Sequence, residues 1–320
     1  MTDEAPRISI IICTCNRAEH LRLTLASMAG VLVPETMPTE LIVVDNGSTD
    51  NTAEVVQQCQ LPNMPVRYVH EPKRGLCYAR NAGMVAAQGE VFLWTDDDLR
   101  LPTGWIAGMC GPILRGEAEA VAGAVTLAPH LERGWMQSIH RDWLATTTFT
   151  NVQKAGGLVG ANMAFDKRVL EDVPAFDLEL GSGSLGFFEE TLFSWQLMQA
   201  GFRVIAAPGE VAEHHCGEER LRQASYYQTA EKMGRSTAYV AHHWLHARVT
   251  FPHLRLLRWH AQFRASQWKN RQGEQIEGGS TQELTALEKI YFYRQHLIER
   301  KRPRNYEKRG LIKHKGTDAL

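Results

Sequence analysis

The sequence predicts an α/β protein in which a mostly parallel, twisted sheet is flanked by helices in a Rossmann-like plan. A helical, basic extension follows the sheet. Three observations carry this. Short β-branched apolar runs recur at residues 7–15 (RISIIICTC), 40–45 (ELIVVD) and 90–95 (EVFLWT), as strands buried on both faces require. Segments with apolar residues at three- and four-residue steps separate them. The charge also divides: residues 221–320 hold 19 Lys+Arg against 8 Asp+Glu, while the first 220 hold 16 against 28, although the whole chain is nearly neutral at −1.

Asn16 and Arg17 break the first strand, and Leu21, Leu25 and Met28 mark the helix after it. The second strand ends at Asp45 in the turn-rich string Asn46-Gly47-Ser48-Thr49-Asp50, whose last three residues are good N-caps for a helix running towards Cys59. Residues 66–69 (VRYV) read as a third strand, 75–87 as a helix and 90–95 as a fourth strand. In such sheets ligands bind beyond the carboxyl ends of the strands. Here two strands end in acids, Asp45 and the run Asp96-Asp97-Asp98.

Three adjacent aspartates raise one another's pKa unless something neutralises them. A hard divalent cation, Mg2+ or Mn2+, held by carboxylates and completed by substrate phosphates answers that need. Strand alternation projects Asp96 and Asp98 together and sends Asp97 elsewhere.

The strings ISIIICTCNR, LIVVDNGSTD, GLCYARNAGMVAAQGEVFLWTDDD, GANMAF and FFEETLFSWQLMQAGFRV, in that order over residues 7–220, resemble the family 2 glycosyltransferases of the GT-A fold. The resemblance implies a non-processive, inverting, metal-dependent transferase that moves one sugar from a nucleotide-diphosphate sugar to an acceptor hydroxyl in polysaccharide, glycolipid or glycoconjugate synthesis. It implies a nucleotide-sugar site of Thr14, Cys15, Asn16, Arg17, Asp45, Arg80, Asn81, Asp96 and Asp97, with Cys15 standing where the family usually has an aromatic. The metal would be held by Asp98 and Asp96, with His214 or His215 as a further ligand. The catalytic base would be Glu190, or its neighbour Glu189, where the family usually reads Gly-Glu-Asp. The alternative role for this acid pair is to favour a helix N-terminus. Asn162 and Trp135 are candidate acceptor contacts. The implied catalytic domain covers 1–220, with a nucleotide-sugar half to about 100 and an acceptor half beyond, followed by a helical region over 221–320.

The remaining features set the limits. No run approaches the roughly 18 apolar residues of a membrane span, the start MTDEAPR has no signal-peptide pattern, and six cysteines are too sparse for a disulfide scaffold, so a cytoplasmic chain is expected. His214, His215 and Cys216 with Cys13 and Cys15 match no zinc spacing. A dehydrogenase would need G-x-G-x-x-G after the first strand. A sugar-nucleotide pyrophosphorylase would need a basic glycine-rich loop there, and CTCNR is neither. A degenerate, non-catalytic sugar- or nucleic-acid-binding relative is the remaining alternative; intact acids argue against it, and no nucleic acid partner is expected. After residue 220 helical periodicity resumes through Tyr227 to Trp244 and Leu284 to Ile298. Between them residues 251–269 are basic and rich in Trp, Phe and Leu. They suit either peripheral contact with an anionic membrane at its inner face or packing on the catalytic domain. Residues 272–280 read as a connector, and the final Lys/Arg-rich stretch as loosely ordered.

Overall fold

Ile8, Ile10, Ile11 and Ile12 have no exposed surface, which makes their strand the centre of the molecule. In the computed structural model, which describes residues 5–149, 155–270 and 277–314, this strand is β1 (Ile8–Thr14). It pairs in parallel with β2 (Thr39–Asp45) and β4 (Val91–Asp96), and β2 pairs in parallel with β3 (Val66–His70). The sheet then changes character. β7 (Asn162–Asp166) runs antiparallel to β4, β6 (Ala120–Leu127) antiparallel to β7, β8 (Val204–His214) parallel to β6, and β5 (Leu99–Arg100) antiparallel to β8. The eight strands lie in the order β3-β2-β1-β4-β7-β6-β8-β5.

Alternation along the central strands feeds two cores. Ile8, Ile10, Ile12, Leu41, Val43 and Leu93 face α1 (Ala18–Met28) and α4 (Trp105–Leu114). Ile11, Ile42, Val44, Phe92 and Trp94 face α3 (Leu76–Ala86) and α6 (Glu189–Gln199). Each such side chain contributes about 1.5–3 kcal/mol by leaving water, so the register is strongly held. That register sets Thr14 beside Asp45 and Cys13 beside Asp96, bringing the carboxyl ends of three strands to one edge.

The second helix, α2 (Thr52–Gln58), starts later than the run Ser48-Thr49-Asp50 predicts. Ser48 and Thr49 are used across the edge instead, and Asp50 serves both helices, its Oδ1 accepting from Thr52 N–H at the start of α2. Ser48 Oγ accepts from Asn16 N–H, Thr49 N–H donates to Asn16 Oδ1, and Asp50 Oδ2 accepts from the first amide of α1, Ala18 N–H. The short α5 (Ser138–Asp142) and strands β5 to β7 are not legible in the sequence; β6 (AVAGAVTL) is buried almost throughout but too small-residued to stand out.

After β8 come α7 (Gln223–His243), α8 (Pro252–Asn270) and α9 (Thr281–Glu299). Ser280 and Glu283 form a capping box on α9. Gly234 lets α7 meet the α9 backbone at Glu288 and Phe292, where a Cβ would collide. The expected connector falls mostly on residues outside those described. The final stretch is not loose as far as residue 314: Trp244 Nε1 donates to Gly310 O at 2.9 Å and Gln196 Nε2 to Leu311 O at 3.0 Å. Its basic residues find buried acids on the catalytic side, a match that composition alone does not reveal.

Candidate active site

The turn after β1 is built by a residue with left-handed backbone, Asn16 at φ 54°. Its side chain and amide stitch it to the 48–49 turn, so the ends of β1 and β2 form one rigid corner. Asp45 is buried in that corner with Oδ1 on the Ser48 amide at 2.8 Å and Oδ2 on the Tyr68 hydroxyl at 2.8 Å. Tyr68, on β3, is a partner no sequence motif announces. Beside the corner, Arg74 Nη1 donates to Cys15 Sγ at 2.9 Å.

Asp97 turns towards β1. Thr14 Oγ1 donates to its Oδ2 at 2.7 Å, and Arg17 Nε lies 3.3 Å from its Oδ1. Burial pushes its pKa up to about 7, against the pull of Arg17. Asp97, Thr14 and Arg17 thus form an internal knot, and the expectation that Thr14 and Asp97 contact a nucleotide is corrected to a supporting role. Arg17 also reaches Asp98 Oδ2 at 2.5 Å.

Asp98 is 2% exposed. His214 Nε2, at the end of β8, lies 3.2 Å from the same Oδ2, while His214 Nδ1 meets Leu144 O at 2.7 Å. A ring flanked by two acceptors is satisfied only with protons on both nitrogens. Burial lowers the His214 pKa, but Asp98 outweighs it and the net shift is upwards. Burial likewise opposes ionisation of Asp98, and His214 and Arg17 overcome it to hold the carboxyl well below its usual range. The other oxygen, Asp98 Oδ1, is buried with no hydrogen-bond partner. Asp96, at the strand end, is part-exposed and has its pKa raised by burial and by Asp98.

Among the described residues no three His, Cys, Asp or Glu side chains gather as a ready cation cage. The orphaned Asp98 Oδ1, with Asp96 nearby, fits a hard cation that takes the rest of its shell from phosphate and water, while His214 Nε2, its proton spent on Asp98 Oδ2, offers that cation no lone pair. His215 does not join them: its Nε2 meets Glu213 Oε1 at 2.6 Å and its ring packs against His130. Adjacent residues of an extended strand point to opposite faces, and the pairing of Leu99 with His214 decides which histidine turns inward.

On the other side of β4 stands Arg80, on α3 and 3% exposed. Its guanidinium lies 5.3 Å from the Phe176 ring and 6.0 Å from that of Trp94. Arg80 Nη1 sits 3.2 Å from Glu189 Oε1, close enough for an ion pair but outside hydrogen-bond geometry, and Nη2 donates to Gly160 O at 3.3 Å. The charges of Asp96 and Glu190 also favour the Arg80 cation, so acids of β4 and α6 both lie within its electrostatic reach. Glu189 is buried and Glu190 part-exposed. Burial and the charge of Glu190 push the Glu189 pKa up to about 8, with Arg80 opposing.

Both acids hang from a loop, 177–188, bent by left-handed backbone at Gly181, Gly183, Gly186 and Phe188. The loop meets the start of α3, where Leu76 N–H donates to Ser182 O at 2.8 Å. Its base is clamped. Asp177 accepts from Tyr239, Tyr306 and Lys313, and Glu179 from Asn305 and Lys313, with Arg302 at 2.7 Å. These partners come from α7 and the last described residues, and sequence spacing offers no sign of them.

Three further expected contacts are corrected. Asn81 spends both ends of its amide on the Phe176 backbone. Asn162 is wholly buried, accepting from Trp105 Nε1 and donating to Ala124 O and Glu210 O. Trp135 packs edge-on against His140 and Tyr226 in a satellite core. Asn81 and Asn162, with both ends of their amides engaged, hold the scaffold, and Trp135, part-buried, is set in place by these ring contacts.

The model of the family described as Glycosyl transferase family 2 matches residues 9–174. A succinoglycan biosynthesis protein, ExoM of Rhizobium meliloti, is 32% identical over 43% of this chain and 45% of its own length. The glycosyltransferase AglE of Haloferax volcanii is 27% identical over 57% of this chain and 60% of its own. The chain therefore spans about half the length of these relatives. Among solved structures, a mannosyltransferase of Pyrobaculum calidifontis in complex with GDP-Man and Mn2+ superposes with a TM-score of 0.54 at 21% identity, over 74% of this chain and 63% of that one. The shared fold is GT-A.

Proposed function

The chain belongs to glycosyl transferase family 2, and on that premise we propose that it transfers one sugar from a nucleotide-diphosphate sugar to an acceptor hydroxyl, with inversion and with a divalent cation. The observation that carries this reading is Arg80, a buried cation 3.2 Å from Glu189 whose charge is also felt by Asp96 and Glu190. It ties the edge suited to a diphosphate to the acids suited to proton removal. The neighbour that holds GDP-Man and Mn2+ supports the donor class, and ExoM supports a place in polysaccharide synthesis.

In this reading Asp98, through Oδ1, and Asp96 would hold Mg2+ or Mn2+, with His214 and Arg17 holding the other oxygen of Asp98. Bound there, the ion would supply Lewis-acid stabilisation of the charge that grows on the departing diphosphate. Asp45 and the Asn16 corner bind the nucleoside, and Arg17 keeps Asp98 ionised and oriented. Glu190, the more open of the two acids, accepts the proton of the attacking hydroxyl, which is a poor nucleophile until a placed carboxylate relieves it of that proton. Glu189 holds Arg80 and, with its raised pKa, remains largely protonated at neutral pH, leaving Glu190 as the base. Attack opposite the leaving group through an oxocarbenium-like state then inverts the anomeric carbon. The catalytic domain is residues 1–220, followed by the helical region 221–320. The acceptor is a carbohydrate or lipid-linked carbohydrate, met at an anionic membrane surface.

The test is turnover. UDP-, GDP- and dTDP-sugars are incubated with the protein and Mn2+, and release of nucleoside diphosphate is followed. Release from one donor, abolished by chelation, supports the reading. No release from any donor, alongside tight binding of a sugar or nucleic acid, would favour a non-catalytic binding protein.

A further inference from the structure

We infer that helix α8 is the surface by which this protein lies on an anionic lipid bilayer. The inference deepens the membrane contact in the reading above by naming the face and its chemistry. Helices in water normally turn their apolar stripe inward, and α8, whose Leu256, Trp259 and Phe263 lie on its packed side, carries a second apolar stripe outward. Leu254, Leu257 and Trp268 are 65%, 66% and 63% exposed, and Ala261 and Ala265 between them are exposed too. The spacing 254, 257, 261, 265, 268 follows the helical repeat, so these five side chains form one outward stripe over a helix about 28 Å long. Phe251, just before the helix, is 73% exposed. The opposite side of α8 is the packed one, where Pro252 and Ser266 are buried and Phe263 lies against Tyr227 of α7.

The charges around the stripe select the partner. The helix PHLRLLRWHAQFRASQWKN contains no acid. On the helical repeat Arg255, Arg258 and Lys269 fall on one flank of the stripe, and Arg264 with His253 and His260 on the other. An apolar centre with Arg255, Arg258 and Lys269 on one side and Arg264 on the other matches a plane of acyl chains bordered by anionic headgroups; His260, its pKa lowered by burial, adds no charge at neutral pH. Among the described residues no helix is long and apolar enough to cross a membrane, so the contact is one of lying on the surface.

The experiment is co-sedimentation of the full chain with vesicles of phosphatidylcholine alone or containing about one third phosphatidylglycerol, using wild type and the double variant Leu254→Glu/Leu257→Glu. The expected result is binding to the anionic vesicles alone, weakened about tenfold or more in the variant. Both leucines point to water, so the variant should melt with the wild type, and a matched melt rules out misfolding as the cause. Three results would overturn the inference: wild type that ignores anionic vesicles, a variant that binds them equally well, or a wild-type dimer in light scattering that the variant makes monomeric. The assay contains no sugar donor, so its outcome is independent of the proposed catalytic activity.

Discussion

Lys313 reaches across 136 positions of sequence to donate from Nζ to Asp177 Oδ1 at 2.9 Å, at the root of the loop that carries Glu189 and Glu190. Tyr239 and Tyr306 hold the other oxygen of the same carboxylate at 2.6 and 2.7 Å. Residues far down the chain therefore clamp the segment on which the proposed base depends. Lys313→Met leaves Asp177 with its two phenols and the Glu179 amide, and should cost about 1–3 kcal/mol in urea unfolding, less than the full loss of a buried pair. If the clamp positions the loop, kcat should fall more than the donor KM rises, hydrogen exchange in 177–188 should speed up, and Lys313→Arg should restore part of both.

The same pair sets an acid dependence. Burial disfavours the Asp177 carboxylate, but Lys313 and the hydroxyl donors prevail and its folded pKa lies below the usual value. A depressed carboxylate contributes in full above its unfolded pKa, about 4, and loses that contribution as pH falls through the folded value. Stability of the wild type should therefore drop below about pH 4 more steeply than that of Lys313→Met, measured by denaturant titration at several pH values. Parallel curves would detach Lys313 from the titration.

Glu190→Gln should keep nucleotide-sugar affinity in calorimetry and lower kcat by about 10²–10⁴, the range expected for losing a general base. Glu189→Gln should retain more activity, since that acid already carries its proton much of the time near neutrality. The reverse ranking would move the base to Glu189.

Arg80→Met should destabilise the fold by about 1–3 kcal/mol, less than breaking a fully ionised buried pair, because Glu189 already carries its proton much of the time. Adding Glu189→Gln should recover part of that loss in a double-mutant cycle, whereas additive losses would mean that the 3.2 Å pair contributes little.

Asp98→Ala should abolish the Mn2+-dependent part of nucleoside diphosphate binding. Asn81→Ala should lower stability by about 1–3 kcal/mol through its unmade bonds to Phe176 while leaving that binding intact. A donor affinity that collapses in Asn81→Ala would restore it as a ligand contact.

The legible part of this protein is what repeats locally. Residues 7–15, 40–45 and 90–95 are apolar without interruption because both faces of a central strand must be covered, and that demand is visible one residue at a time. The acids at 45 and 96–98 are legible for a related reason: they stand where strands end, and strand ends are marked by the same apolar runs. Of the later sheet β6 left no trace, because Ala and Gly carry little hydrophobic pattern.

What the fold alone decides is which of several equivalent side chains faces which neighbour. Spacing does not tell His214 from His215; the pairing of β5 with β8 does, by turning one ring to Asp98 and the other to Glu213. Asn81 and Asn162 look like ligand contacts in one dimension and are consumed by backbone and core in three. The clamp on Asp177 assembles donors more than 60 positions away. A hydrogen bond depends on distance in space, and the chain encodes that distance only through the packing of everything between.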